Sequence, residues 1–115
     1  MAIDTVALRN FLASNYATHC TFASLHTADP QGIGANEVLA SPYARAVLSW
    51  GAAADGEIKA TVTWNQGGKL FVVAVGFWDS SVGGNYLNKF DIPPTEVRKL
   101  DNSGTYTLDV RYLQV

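Results

Sequence analysis

The chain has 115 residues, eight Lys and Arg against ten Asp and Glu for a formal net charge of −2, and 48% hydrophobic content. That is the length of one domain over 1–115, with a radius of gyration of roughly 13 Å if compact, and too apolar a composition for a disordered chain. The cations at Arg9, Arg45, Lys59, Lys69, Lys89, Arg98, Lys99 and Arg111 are scattered, so no phosphate-tracking stripe exists and nucleic acid is excluded as an expected partner.

The first element is helical. Leu8, Phe11, Leu12 and Tyr16 recur at helix spacing while Arg9, Asn10 and Ser14 lie off that stripe, which predicts one amphipathic helix over about 4–17 with Asp4 as its N-cap. So short a helix is marginal alone and must dock on the sheet or on a neighbouring subunit. A β body over about 21–115 follows. Thr21 to His26 reads as a strand, and a long loop carrying Ala28-Asp29-Pro30 and Gly32-Ile33-Gly34 separates it from a second strand over Tyr43 to Trp50. In that second strand Ala44, Ala46, Leu48 and Trp50 should share one face. Gly51 to Gly56 is a connection ending in hairpin-turn residues. Ile58, Ala60, Val62 and Trp64 then alternate with Glu57, Lys59, Thr61 and Thr63, the pattern of a half-buried antiparallel strand.

Asn65 to Lys69 is read as a turn, and Leu70 to Trp78 as one central strand in which Gly76 marks a bulge or a close approach. The turn Asp79 to Asn85 leads to a strand through Tyr86, Leu87 and Phe90 that ends at Pro93-Pro94. A strand over about Thr95 to Leu100, a turn at Asp101 to Gly104 and a last strand over Thr105 to Leu113 complete the chain, the final one with Tyr106, Leu108, Val110 and Tyr112 on one face. The expected fold is mainly β: a small antiparallel β-sandwich or partly open barrel with one N-terminal amphipathic helix.

The residues that could carry chemistry sit in and beside the long loop. His26, Asp29 and Glu37, with His19 and Cys20, can be assembled on paper into a metal site, but the spacing is not that of a ligand set. The expected roles are structural: Asp29 caps the turn at Pro30, and His26 closes its strand with side-chain hydrogen bonds. Gly32-Ile33-Gly34-Ala35-Asn36-Glu37 lacks the third glycine and the following helix of a dinucleotide loop, so no cofactor is expected. No nucleophile elbow occurs, and the chain is read as a non-enzyme. Trp50, Trp64 and Trp78 fall in apolar strands and are assigned to packing rather than to sugar stacking, with Tyr16, Tyr43 and Tyr86 as candidates for exposed contacts. Arg45 is expected to pair with Glu37 and hold the loop, such that exchanging both charges together restores stability. Cys20 alone permits no intrachain disulfide and suits a reducing compartment. Met1-Ala2-Ile3-Asp4 lacks the start of a secretory signal and no run is long enough to span a bilayer, so no membrane is expected.

Ser24-Leu25-His26-Thr27-Ala28-Asp29-Pro30, Gly34-Ala35-Asn36-Glu37-Val38 and Tyr43-Ala44-Arg45 resemble the recurrent signature of small virion structural proteins of tailed bacteriophages, tail fibre, minor tail or head decoration proteins. Val75-Gly76-Phe77-Trp78-Asp79, Gly83-Gly84 and Leu87 are similar to a later segment of the same family. The likeness spans about Ser24 to Leu87; it departs at Leu39-Ala40-Ser41-Pro42 and does not reach the last third. It implies a virion protein made in the host cytoplasm, without catalytic residues, that binds other copies of itself, as a homo-oligomer, and phage capsid or tail proteins. A capsid decoration or minor capsid subunit is the leading expectation. The alternative is a minor tail or tail-fibre/tip protein with a receptor, for instance carbohydrate, to bind. His26, Asp29, Asn36, Glu37, Tyr43 and Arg45 are the candidate loop and interaction residues.

Overall fold

Alternating side chains build the longest elements. In the computed structural model, which describes residues 3–39, 43–66, 70–93, 98–100 and 104–115, β3 (Glu57–Gln66) runs antiparallel to β8 (Gly104–Leu113). Their inward residues Ile58, Ala60, Val62, Trp64, Tyr106, Leu108 and Val110 are buried, and Lys59, Thr61 and Thr63 face out, as the pattern requires. β4 (Leu70–Val72) pairs with β7 (Arg98–Leu100), and Leu70 opposite Leu100 keeps the register in which Gln66 stands opposite Gly104. The pairs β3–β8 and β4–β7, each a two-stranded sheet, therefore share one antiparallel register. At Val73 the chain leaves it for β5 (Ala74–Trp78), buried throughout, and returns as β6 (Tyr86–Asp91).

Beside β5 lies β1 (Phe22–His26), flanked by the two-residue β2 (Ala46–Val47), for a sheet order of β2-β1-β5-β6. Ala23, Leu25, Val75 and Phe77 turn toward the β3–β8 layer, and the Trp64 indole N–H donates to the Ala23 carbonyl at 2.9 Å across the interior. Burying a large apolar side chain contributes about 1.5–3 kcal/mol, so this shared interior is the main source of stability. Leu48 N–H donates to Thr21 O and Gly51 N–H to Lys59 O, which carries residues 46–51 from β1 across to β3. Among the described residues nothing pairs β6 with β8, so the sheets form a sandwich and do not close into a barrel.

The helix α1 (Val6–His19) begins one residue later than expected and runs further. Thr5, not Asp4, is its N-cap, with Oγ1 accepting from Leu8 N–H at 3.2 Å. Its inward face is also rotated from the apolar stripe: Ala13 is buried, while Leu8 and Phe11 are exposed. Polar contacts accompany the rotation. Asn10 Oδ1 accepts from Gly56 N–H at 2.7 Å, Arg9 donates to Ile3 O at 2.6 Å, and Tyr16 stacks on Tyr112 with ring centroids 3.7 Å apart. Part of the helix thus docks on the chain's own sheets. Burial raises the Tyr16 hydroxyl and pushes the neighbouring Cys20 thiol up to about 11.

Two strands are shorter than their apolar patterns suggest. The expected strand Tyr43 to Trp50 is reduced to β2, because Tyr43 and Arg45 turn inward to the loop and Ala44 is left exposed, which breaks the alternation before Ala46. The run Leu70 to Trp78 divides at Val73, whose N–H donates to His26 O while its carbonyl accepts from Ile92 N–H. The register shift in β5 falls between Phe77 and Trp78, not at Gly76. Asn65 and Gln66 belong to β3, and the remainder of that expected turn lies outside the described residues, as do Pro94, the start of the strand expected from Thr95 and most of the turn before Gly104.

Candidate functional site

The second face of β1 and β5 carries a buried polar layer. Alternation turns Ser24 and His26 away from the apolar interior, with Gly76 opposite Ser24 and Ala74 opposite His26. Both side chains are fully buried beneath loop 27–39. The Trp78 indole N–H donates to Ser24 Oγ at 2.8 Å, Ser24 Oγ lies 2.6 Å from His26 Nε2, and His26 Nδ1 lies 2.7 Å from the Ala35 carbonyl. A carbonyl only accepts, so the ring proton is on Nδ1 and Nε2 takes the serine hydroxyl. Desolvation holds the His26 pKa below its ordinary 6.5, against the opposing pull of the Ala35 carbonyl and Glu37. Gly76 is required here because a Cβ would fall on Ser24 Oγ and His26 Nε2.

Arg45 ties the loop to the sheet. Its Nε and Nη2 donate to the two carboxylate oxygens of Glu37, each at 3.0 Å, and its Nη1 donates to Ser80 O at 3.0 Å and Gly83 O at 2.8 Å. The guanidinium carbon stands 3.5 Å from the centroid of the Trp78 ring. Tyr43 OH donates to Glu37 at 2.9 Å and accepts from Leu25 N–H at 3.0 Å, standing in for a strand partner along the edge of β1. Burial raises the Tyr43 hydroxyl, which keeps it a donor to the carboxylate.

The loop itself is held by short-range geometry. Thr27 N–H donates to Asn36 O and Val38 N–H to Leu25 O, so Glu37 bridges back to His26. Asp29 Oδ2 accepts from Gln31 N–H at 3.0 Å across Pro30, and Oδ1 pairs with Lys89 at 2.7 Å; that hydrogen bond lowers the Asp29 carboxyl and raises the Lys89 amine. Asn36, with φ at +65°, donates from Nδ2 to Asp29 O at 2.9 Å. Asn tolerates that left-handed conformation better than other side chains. Leu39, 90% exposed, and Val82, 85% exposed, stand at the rim of a shallow groove of about 280 Å³ that Glu37, Tyr43 and Arg45 also line.

The six candidates His26, Asp29, Asn36, Glu37, Tyr43 and Arg45 are thus gathered around one loop. Ser24, Trp78 and Lys89 belong with them, although the sequence marks Ser24 only as a signature residue, Trp78 as packing, and gives Lys89 no role. Ser24 lies two residues before His26 and so on the same strand face, which was the available signal. Trp64 is buried in the main interior and Trp78 under Arg45, while Trp50 is half-buried against Tyr16 and Phe77. Tyr16, Tyr43 and Tyr86 are half-buried and engaged, Tyr86 edge-on to Trp78, rather than exposed. Ser24 and His26 are close enough to share a proton, but each is sealed from solvent and its neighbours are an indole and a carbonyl. Among the described residues no three His, Cys, Asp or Glu side chains converge on a metal position.

Fold and site together define a small β module in which a buried polar layer and a bidentate ion pair fix a surface loop. The family profile described as podophage GP4 fiber I protein gp80 matches residues 7–115, and the chain belongs to that family, a phage structural protein of fibre type. The match runs through the last third of the chain, beyond the reach of the sequence resemblance, and favours the tail-fibre alternative over capsid decoration. No curated protein matches the chain significantly. Among the described residues no helix is long and apolar enough to cross a membrane.

Proposed function

We propose that this chain is a non-catalytic component of a podophage tail fibre, resident in the virion, that contacts copies of itself and neighbouring tail proteins through surfaces held rigid by its folded body. The match to a fibre protein family over residues 7–115 carries this reading. The geometry supports it: Arg45 fixes loop 27–39 against turn 79–85, so the exposed Leu39 and Val82 are presented on a clamped frame instead of on two independent loops. A preorganised surface loses less entropy on contact.

Mass spectrometry of purified virions, with copy number scaled to the major capsid protein, tests the location. A few copies per particle, with immunogold label at the tail, is the expected result. Hundreds of copies would return the protein to the head, and its absence from particles would end both readings.

A further inference from the structure

Among the described residues, one edge of β8 has no strand partner. Gln114 N–H donates to Gly56 O, and the register of β3 with β8 extends to that pair, so even-numbered residues of β8 turn their backbone groups toward β3. The odd-numbered residues Thr105, Thr107, Asp109, Arg111 and Leu113 turn theirs away, and all five are exposed. Among the described residues no backbone group pairs with this ten-residue edge. Edges of that length are normally covered, bulged or blocked, because they template pairing with another strand.

The charges on the edge say which strand fits. Asp109 and Arg111 are the two charged residues among the five, two positions apart and of opposite sign. In a two-fold antiparallel pairing centred on Val110, Asp109 of each copy stands opposite Arg111 of the other, and Thr107 stands opposite Leu113. The backbone groups agree: the facing residues are all odd-numbered, the ones whose N–H and C=O groups point outward. Centring one residue away sets Asp109 against Asp109 or Arg111 against Arg111, which is unfavourable. Both side chains have capacity to spare. Asp109 Oδ1 accepts from Thr61 at 2.7 Å, and Arg111 reaches Glu57 only at 3.4 Å, while its cross-strand neighbour is the like-charged Lys59.

We infer that the partner for this edge is a second copy of the chain, joined β8 to β8 in antiparallel register so that two Asp109–Arg111 pairs close the contact. The inference gives form to the self-association proposed above, but it does not depend on where in the particle the protein sits, and virion composition cannot overturn it.

Sedimentation velocity of the purified full chain over a range of concentration and salt tests it. The expected result is a reversible monomer–dimer equilibrium that weakens as salt rises. Asp109→Arg or Arg111→Asp alone should raise the dissociation constant about tenfold or more, since each reverses two symmetry-related pairs. The double exchange should restore it to within about threefold of the parent. Thr107→Pro removes an outward-facing N–H, together with one exposed side-chain hydrogen bond to Thr63 at 2.8 Å, and should abolish dimerisation with the circular dichroism of the fold retained. Should that variant unfold, the charge series decides alone. A monomer at every concentration, a trimeric or larger ring, a dimer indifferent to Thr107→Pro, or a double exchange no better than the singles would overturn the inference.

Discussion

Arg45 commits all three of its nitrogens, to one carboxylate and two carbonyls on separate segments, while its plane lies on an indole. The pair is mostly enclosed, with side chains 9% exposed for Arg45 and 16% for Glu37. Arg45→Ala leaves the Glu37 charge in that enclosure and releases turn 79–85, and we expect a loss of about 3–5 kcal/mol. Arg45→Lys keeps the charge but not the fork or the stacking, so it should recover only a minor part. Read as an isolated ion pair, Glu37 and Arg45 ought to tolerate exchange. The geometry reverses that expectation: a carboxylate at position 45 would face the Ser80 and Gly83 carbonyls and the electron-rich face of Trp78. Urea midpoints should place Glu37→Arg with Arg45→Glu no higher than Arg45→Ala; a restored midpoint would mean that Arg45 acts through Glu37 alone.

Among the elements, β3 and β8 are legible because each has one wet and one dry face, and period-two alternation records that difference directly. The helix is legible in existence but not in orientation, since Asn10 and the stem of Arg9 dock where an apolar stripe would assign Leu8 and Phe11. Least legible is the loop as a covering layer. β1 and β5 are buried on both faces, and a polar layer of Ser24, His26 and Trp78 under a loop leaves no periodic trace. The glycines are what mark it. Gly32 and Gly34 have nearly the same backbone, with φ at +73° and +78°, but a Cβ on Gly32 meets open space, whereas one on Gly34 lands 2.5 Å from the Trp78 ring. Gly32→Ala should cost only the left-handed penalty, about 1–2 kcal/mol. Gly34→Ala should add about 1–3 kcal/mol of overpacking. Thermal denaturation of the two variants side by side checks this, and equal losses would show that the loop does not bear on the indole.

At the scale of the molecule, the antiparallel pairs β3–β8, β4–β7 and β5–β6 follow one another, with the course turning at Val73 and Ile92, so that β5–β6 folds over β3–β8. The extents of 45 × 30 × 23 Å and radius of gyration of 14.4 Å reflect that elongated plan. His26 lies at the bend: its carbonyl accepts from Val73 N–H, and its ring anchors the loop through Ala35. Protonating the ring disturbs the layer under the loop, because an imidazolium has no acceptor for the Ser24 hydroxyl, leaving it only the longer bond to Gly76 O at 3.4 Å, and adds a second cation near Arg45. Glu37, Asp29 and Lys89 are the other charges near it, and Tyr86 faces its ring. Burial lowers the folded-state pKa beneath the ordinary 6.5, so in the interval below that value the unfolded chain binds more protons than the folded one. Stability should therefore be full above about pH 6.5 and decline as pH falls, until the buried ring itself protonates and the decline from this group stops. Denaturation midpoints of the parent and His26→Gln, taken from pH 7.5 down to 5, separate this effect from carboxylate titration. The parent should lose stability across that span and the variant should stay nearly flat. Parallel slopes would show that the acid sensitivity comes from another group.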